Sequence, residues 1–258
     1  MKKCVWCKQT ESEVKFDKQA HTIPKSLGGK NICINVCDLC NEYFGNHDNR
    51  LPPIETVIKE TFNITRTRFL MNEQNIGKNK PLTKFSSIYF KVNLNQNKPS
   101  LSIKQQYGYD REFQKKIGRQ IKRGIYKMFL EETERQKKNG HDIKFDFIRD
   151  FARYNESDYP VFYFERKYGI IAISMDWVKS PSLFLSGDYK MKYLIKHSNF
   201  EEFEFLGHVF SIPTSKDWNL YWDDYLIQTS LAKKNHFKSI KLINHFNDID
   251  LALSILND

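Results

Sequence analysis

Two pairs of the form Cys-x-x-Cys, Cys4-Val-Trp-Cys7 and Cys37-Asp-Leu-Cys40, constrain this chain more than any other feature. The two-residue spacing lets both sulfurs of a pair face one ion across a tight turn. Two such pairs describe a tetrahedral structural zinc site. A redox dithiol is the other common use of the motif, but two pairs without a thioredoxin-like context point to metal. The pairs are separated by 29 residues, more than the ~15–20 usual between such knuckles, so a segment is inserted between them. Cys33, the fifth cysteine, fits a small buried hydrophobe.

The inserted segment carries Ala20-His21-Thr22-Ile23-Pro24 and then Leu27-Gly28-Gly29. Pro24 stiffens the chain after the histidine, and the glycine pair turns it back towards the second knuckle. With Asn41 directly after Cys40, and Phe44-Gly45 beyond it, the pattern resembles the zinc-bearing HNH endonucleases over roughly the first fifth of the chain. That resemblance implies a ββα-metal fold and metal-dependent hydrolysis of phosphodiester bonds, with DNA favoured over RNA. It makes His21 the general base. It makes Asn41 a ligand of the catalytic ion, Mg²⁺ or Mn²⁺. It makes Asn35, with Asn31 as the alternate, the residue that fixes the loop around the histidine. Many members carry an acidic metal ligand where this chain has Ala20. The ion would then rest on other groups, with His47 and Asp48 as candidates beside Asn41. Restriction, mobile-element and anti-phage defence systems are the settings implied. Ala20 also keeps open a rival reading, a non-catalytic zinc module that binds DNA or protein.

Charge is distributed unevenly. The chain has 258 residues and a net charge of +10, yet residues 61–140 hold 18 Lys and Arg against 6 Asp and Glu. Within them, a helix is expected from Asp110 as N-cap, with Phe113, Ile117, Ile121, Ile125 and Phe129 forming an apolar stripe. Lys115, Arg119, Lys122, Arg123 and Lys127 fall on the other side. The first four, with Lys25, are the candidate contacts to nucleic-acid phosphates. A solvated face, or pairing with the acidic C-terminal region, is the alternative.

The whole reads as α+β: an HNH-like module over 1–52, a basic helix and hairpin region over 53–140, and an α+β region over 141–258. Helices are expected over 54–74 and 143–154. A hairpin is expected over 86–107 around a polar 95–99 turn, with paired strands over 161–174 and 189–212 and helix from 218 to 246. Target recognition, sensing, or binding of a partner protein or ligand is the role left for the C-terminal region. His141, His197, His208, His236 and His245 stand in segments without motif support and read as structural or surface residues. No apolar run approaches the ~18 residues of a membrane span. The N-terminus lacks the apolar stretch of a signal peptide, so a cytoplasmic protein with reduced cysteines is expected.

Overall fold

A computed structural model describes residues 1–46, 51–74, 86–93, 100–108, 110–167, 175–188, 191, 193–233 and 235–251. Candidate residues His47 and Asp48, and the 95–99 turn, lie outside the described residues. The elements in chain order are α1 (Asp38–Gly45), α2 (Ile54–Gln74), β1 (Phe90–Asn93), β2 (Ser100–Ile103), a single turn α3 (Gln105–Gly108), α4 (Arg111–Lys137) and α5 (Asp146–Ala152). They continue with β3 (Phe162–Arg166), α6 (Met175–Lys179), β4 (Phe184–Leu185), β5 (Phe200–Phe205), β6 (His208–Pro213), α7 (Trp222–Lys233) and β7 (Phe237–Leu242). The architecture is α+β.

Helix α4 runs through the centre. Asp110 caps it as expected, its carboxylate accepting from the Phe113 amide at 2.9 Å. The stripe of Ile117, Ile121, Ile125 and Phe129 is buried. So is the opposite side: Gln120, Lys122, Arg123, Lys127, Glu131, Glu132 and Glu134 are all at most 5% exposed. Between Ile117 and Glu134 the helix is therefore mostly internal, and its charged side chains there must find partners inside the protein. On one flank α4 packs against α2. Further along it meets the five-stranded antiparallel sheet, ordered β4-β5-β6-β3-β7, where Phe129 stacks on Phe203.

The sheet is covered on both faces, which explains its unusual sequence. In β5, Phe203 and Phe205 face α4 and α2, and Phe62 of α2 meets Phe205 with ring centroids 5.0 Å apart. Alternate residues face α7, where Phe200 stacks on Tyr225 at 4.1 Å. Glu202 and Glu204 share that second face, matched by Lys233 and Arg166. The acidic residues of this region are therefore partly internal.

Two sequence expectations change here. The stretch 237–242 is strand β7 and not helix. It pairs with β3 from Phe162↔Leu242 to Arg166↔Phe237, and the lysines at 238 and 241 suit an edge strand. The described residues between 191 and 199 form loop, with one isolated bridge from Lys196 to Glu201. The expected strand over 161–174 is described only as far as 167. The expected hairpin is present as β1 and β2, paired from Phe90↔Ile103 to Asn93↔Ser100. One apolar cluster takes residues from all three stretches of the chain, from Cys4 through Ile58 and Ile121 to Phe203 and Leu251.

Candidate zinc centre and active site

The first knuckle is closed by local backbone bonds. The Lys8 amide donates to Cys4 O at 2.9 Å and the Cys4 amide to Gln9 O at 2.8 Å. Lys8 takes a left-handed conformation, φ +61°, to make the turn. The second knuckle begins at Cys37, the N-cap of α1. The Cys37 amide donates to Cys4 Sγ at 3.4 Å and so ties the two knuckles together.

The four sulfurs of Cys4, Cys7, Cys37 and Cys40 all lie within 4.8 Å of one another, with Cys7 and Cys37 at 3.7 Å. A tetrahedron with Zn–S bonds of ~2.3 Å has edges of about 3.8 Å. The donor set thus fits one zinc ion. The ionisation of the thiols agrees. Hydrogen bonding from Cys40 lowers Cys4 to about 5, and the same contact pushes Cys40 well above the ordinary thiol range. Cys4 and Cys40 thus contend for one negative charge, a conflict that a cation binding both as thiolates would remove. Arg153 lies beside Cys40 and favours its thiolate, while its guanidinium stacks over Tyr43 at 3.9 Å. Cys33 is buried away from this cluster and is pushed up to about 12 by that burial.

Between the knuckles the chain makes a minimal hairpin. His21 and Ile32 form a single antiparallel bridge. The flanking bonds run from the Thr22 amide to Asn31 O at 3.0 Å and from the Cys33 amide to Ala20 O at 2.9 Å. His21 and Ile32 are therefore a non-hydrogen-bonded pair, with side chains on one face and their own N–H and C=O turned outward. Ala20 is buried, so it leaves the half-buried His21 as the outward residue of this strand.

The return loop depends on its glycines. Gly28 has φ +94°, a region that L side chains rarely adopt. A Cβ on Gly29 would stand 2.0 Å from Ile23 O. Around this loop Lys25 and Lys30 are exposed. Arg66 of α2 reaches towards Gly28 and donates from Nε to Val178 O at 2.9 Å.

Asn41 sits in the first turn of α1, its amide group 3.5 Å from Gln19 O. That places the helix against the start of the His21 strand, the ββα arrangement expected. Of the two loop-fixing candidates, Asn31 lies across from Thr22, next to Ile32, the histidine's bridge partner. Asn35 lies further along and donates to Glu134 at 2.7 Å, while its carbonyl accepts from Val5.

The candidate phosphate contacts on α4 fare differently from one another. Lys115 is exposed and paired with Glu112 at 3.2 Å. Arg119 spends its donors on Asn155 and Ser157 and lies over Phe151. Lys122 is buried and paired with Asp158 at 2.6 Å. Arg123, 1% exposed, donates to Ala152 O, Gln120 and Tyr43. Lys122 and Arg123 of the expected basic face are thus enclosed against the 150–158 segment, with their donors engaged inside the protein.

The residues that brace the module come from α4 and were not singled out from sequence. Glu131 accepts from Trp6 Nε1 at 2.9 Å, Glu132 from Thr22 Oγ1 at 2.6 Å and Asn31 at 3.1 Å, and Glu134 from Asn35. Arg149 of α5 donates to Val5 O at 2.6 Å. One sequence signal was present: half of the six acids in 61–140 stand within four consecutive positions, 131–134.

Among the described residues, the four cysteines are the one group of three or more metal-ligating His, Cys, Asp or Glu side chains. No helix of the described residues is long and apolar enough to cross a membrane. A comparison with family models matches residues 4–51 to the family described as HNH endonuclease. No curated protein and no solved structure matches the chain. The matched residues begin at the first knuckle and run past α1, so they take in the cysteine cluster, the His21 hairpin and Asn41. Residues 4–51 are an HNH endonuclease-family module, a nuclease-type unit with four cysteines placed to hold one metal ion.

Proposed function

We propose that this protein is a divalent-metal-dependent endonuclease that cuts DNA, with His21 as general base and a structural zinc at Cys4, Cys7, Cys37 and Cys40. The observation that carries the reading is the placing of His21. It stands outward on a hairpin held at both ends by the cysteine knuckles, and no hydrogen bond restrains its imidazole among the described residues. A neutral imidazole can take a proton from an attacking water.

Asn41 and His47 or Asp48 would hold the catalytic ion. Such an ion supplies charge neutralisation at the phosphate and at the leaving oxygen, and an amide oxygen with one carboxylate suits Mg²⁺ or Mn²⁺. With Lys122 and Arg123 enclosed, the exposed Lys25 and Lys30, with Arg66 close by, are the cations best placed to hold the DNA backbone beside His21. A restriction, mobile-element or defence setting, with a regulating partner or ligand at the C-terminal region, belongs to the same proposal.

One observation favours the rival, a zinc module that binds without cutting: Ala20 is fully buried and offers no ligand at the position where many members of the resembled family carry an acid. The test is incubation of purified protein with supercoiled plasmid, with Mg²⁺, Mn²⁺ or neither, beside His21→Ala. Metal-dependent nicking or linearisation that disappears in His21→Ala, with zinc content unchanged, is the expected result. Cleavage by His21→Ala at the wild-type rate removes His21 from the mechanism. DNA binding without cleavage under every condition selects the rival.

A further inference from the structure

The outward carbonyl of His21 has a partner from far along the chain. Lys127 of α4 donates from Nζ to His21 O at 2.6 Å. This lysine is 1% exposed, and it lies outside residues 4–51. Burying an ammonium is costly unless the charge is matched. Here it is matched by Glu55 at 2.9 Å and Glu131 at 3.1 Å, with the Phe44 ring 5.9 Å away. Burial alone would lower the lysine's pKa, but the two carboxylates more than reverse it, so Lys127 stays charged. Just beyond Glu131, Glu132 accepts from Thr22 and Asn31, the bonded pair on the loop side of the bridge.

We propose that Lys127 is a positioning residue for His21: the His21 carbonyl, left unpaired by its own hairpin, is fixed by a buried ammonium from α4, and the imidazole is aimed by that contact. This rests on the reading of His21 as general base. A two-residue ladder supplies too little to fix a side chain, because isolated hairpins are marginal in water. A general base misplaced by about 1 Å can lose up to ~100-fold in rate.

The test uses Lys127→Met and Lys127→Arg in the full chain. In Lys127→Met, kcat for a DNA duplex should fall about 10- to 100-fold. KM should change less than about twofold, and zinc should stay at the wild-type level. Lys127→Arg, which can still donate to the carbonyl, should restore most of the rate. Amide hydrogen exchange at Thr22 and Cys33, the two N–H groups that close the hairpin, should quicken in Lys127→Met alone.

Wild-type kcat in Lys127→Met overturns the proposal, as does slow cleavage without faster exchange. If Lys127→Met leaves Glu131 too exposed to strain to fold, Lys127→Met/Glu131→Gln is assayed in its place. Failure of both to fold marks the lysine as a general support and overturns the positioning role. The exchange result stands apart from the cleavage mechanism. Wild-type cleavage by His21→Ala would strike out the general base while leaving the contact to the hairpin as measured.

Discussion

His21 is half-buried and outward, whereas the other histidine of structural weight, His208, is wholly internal. Its Nε2 lies 2.7 Å from Thr65 Oγ1 and its Nδ1 3.5 Å from the Tyr163 hydroxyl, with Phe62 and Phe210 around the ring. Burial, reinforced by the charge of Arg166, lowers its pKa to about 3. The unfolded chain would take up that proton near the usual value of ~6.5. Between the two values the unfolded state binds a proton that the folded state refuses. Stability due to His208 is therefore present above about 6.5 and is lost as pH falls towards 3, by up to about 1.4 kcal/mol per pH unit. Glu204 and Glu131, both pushed up to about 7 chiefly by burial, act with the opposite sign from 4.5 to 7. The difference between wild type and His208→Gln isolates the histidine. In denaturant melts from pH 7 to 4, the stability advantage of wild type over His208→Gln should shrink as pH falls. A constant difference would mean that His208 is not held neutral.

At the scale of the element, α4 converts a basic sequence into a structural rod. Lys122 and Arg123 are held by Asp158, Ala152 O, Gln120 and Tyr43, and these contacts fasten the 150–158 segment to the helix. Replacing Arg123 by Gln strands the buried Ala152 carbonyl at a cost of about 1–3 kcal/mol and removes a donor from the half-buried Tyr43 hydroxyl. Lys122→Gln/Arg123→Gln should lower the melting midpoint by several degrees. The dependence of DNA affinity on salt should not change, because no phosphate contact is removed. A salt slope reduced by about 0.9 per residue, in a variant as stable as wild type, would return these two residues to the DNA interface.

For the molecule as a whole, the cysteine cluster is part of the main core and not a separate bead. Cys4, Trp6 and Phe44 belong to the same apolar cluster as Ile121, Phe129 and Phe203, and Trp6 is bonded to Glu131 across 125 residues. The purified protein should hold about one zinc per chain by elemental analysis. Stripping it with a chelator, or replacing Cys37 by Ser, should lower the melting transition of the entire chain, because metal affinity is folding free energy here. A chelated protein whose α4 and sheet melt at the original temperature, after an earlier separate loss of the N-terminal module, would show that the shared core does not couple them.

What the sequence determined by itself is short in range. Cysteine spacing fixed which four sulfurs converge, Gly28 and Gly29 fixed the return from His21, and Asp110 with its four-residue apolar repeat fixed where α4 begins and which stripe is internal. Each depends on residues a few positions apart, where chain geometry leaves few alternatives. The fate of charge was decided only by the tertiary structure. A lysine at 122, 123's arginine and a lysine at 127 read alike in sequence, yet their partners are Asp158, Ala152 and the His21 carbonyl with Glu55. The same holds for β7, an edge strand through its pairing with β3, and for Asn31, set beside the histidine's partner Ile32 by a hairpin of one bridge. A charged side chain can be solvated on a surface or matched inside, and local spacing does not choose between them. The choice follows from which distant groups the packed core brings within hydrogen-bond reach.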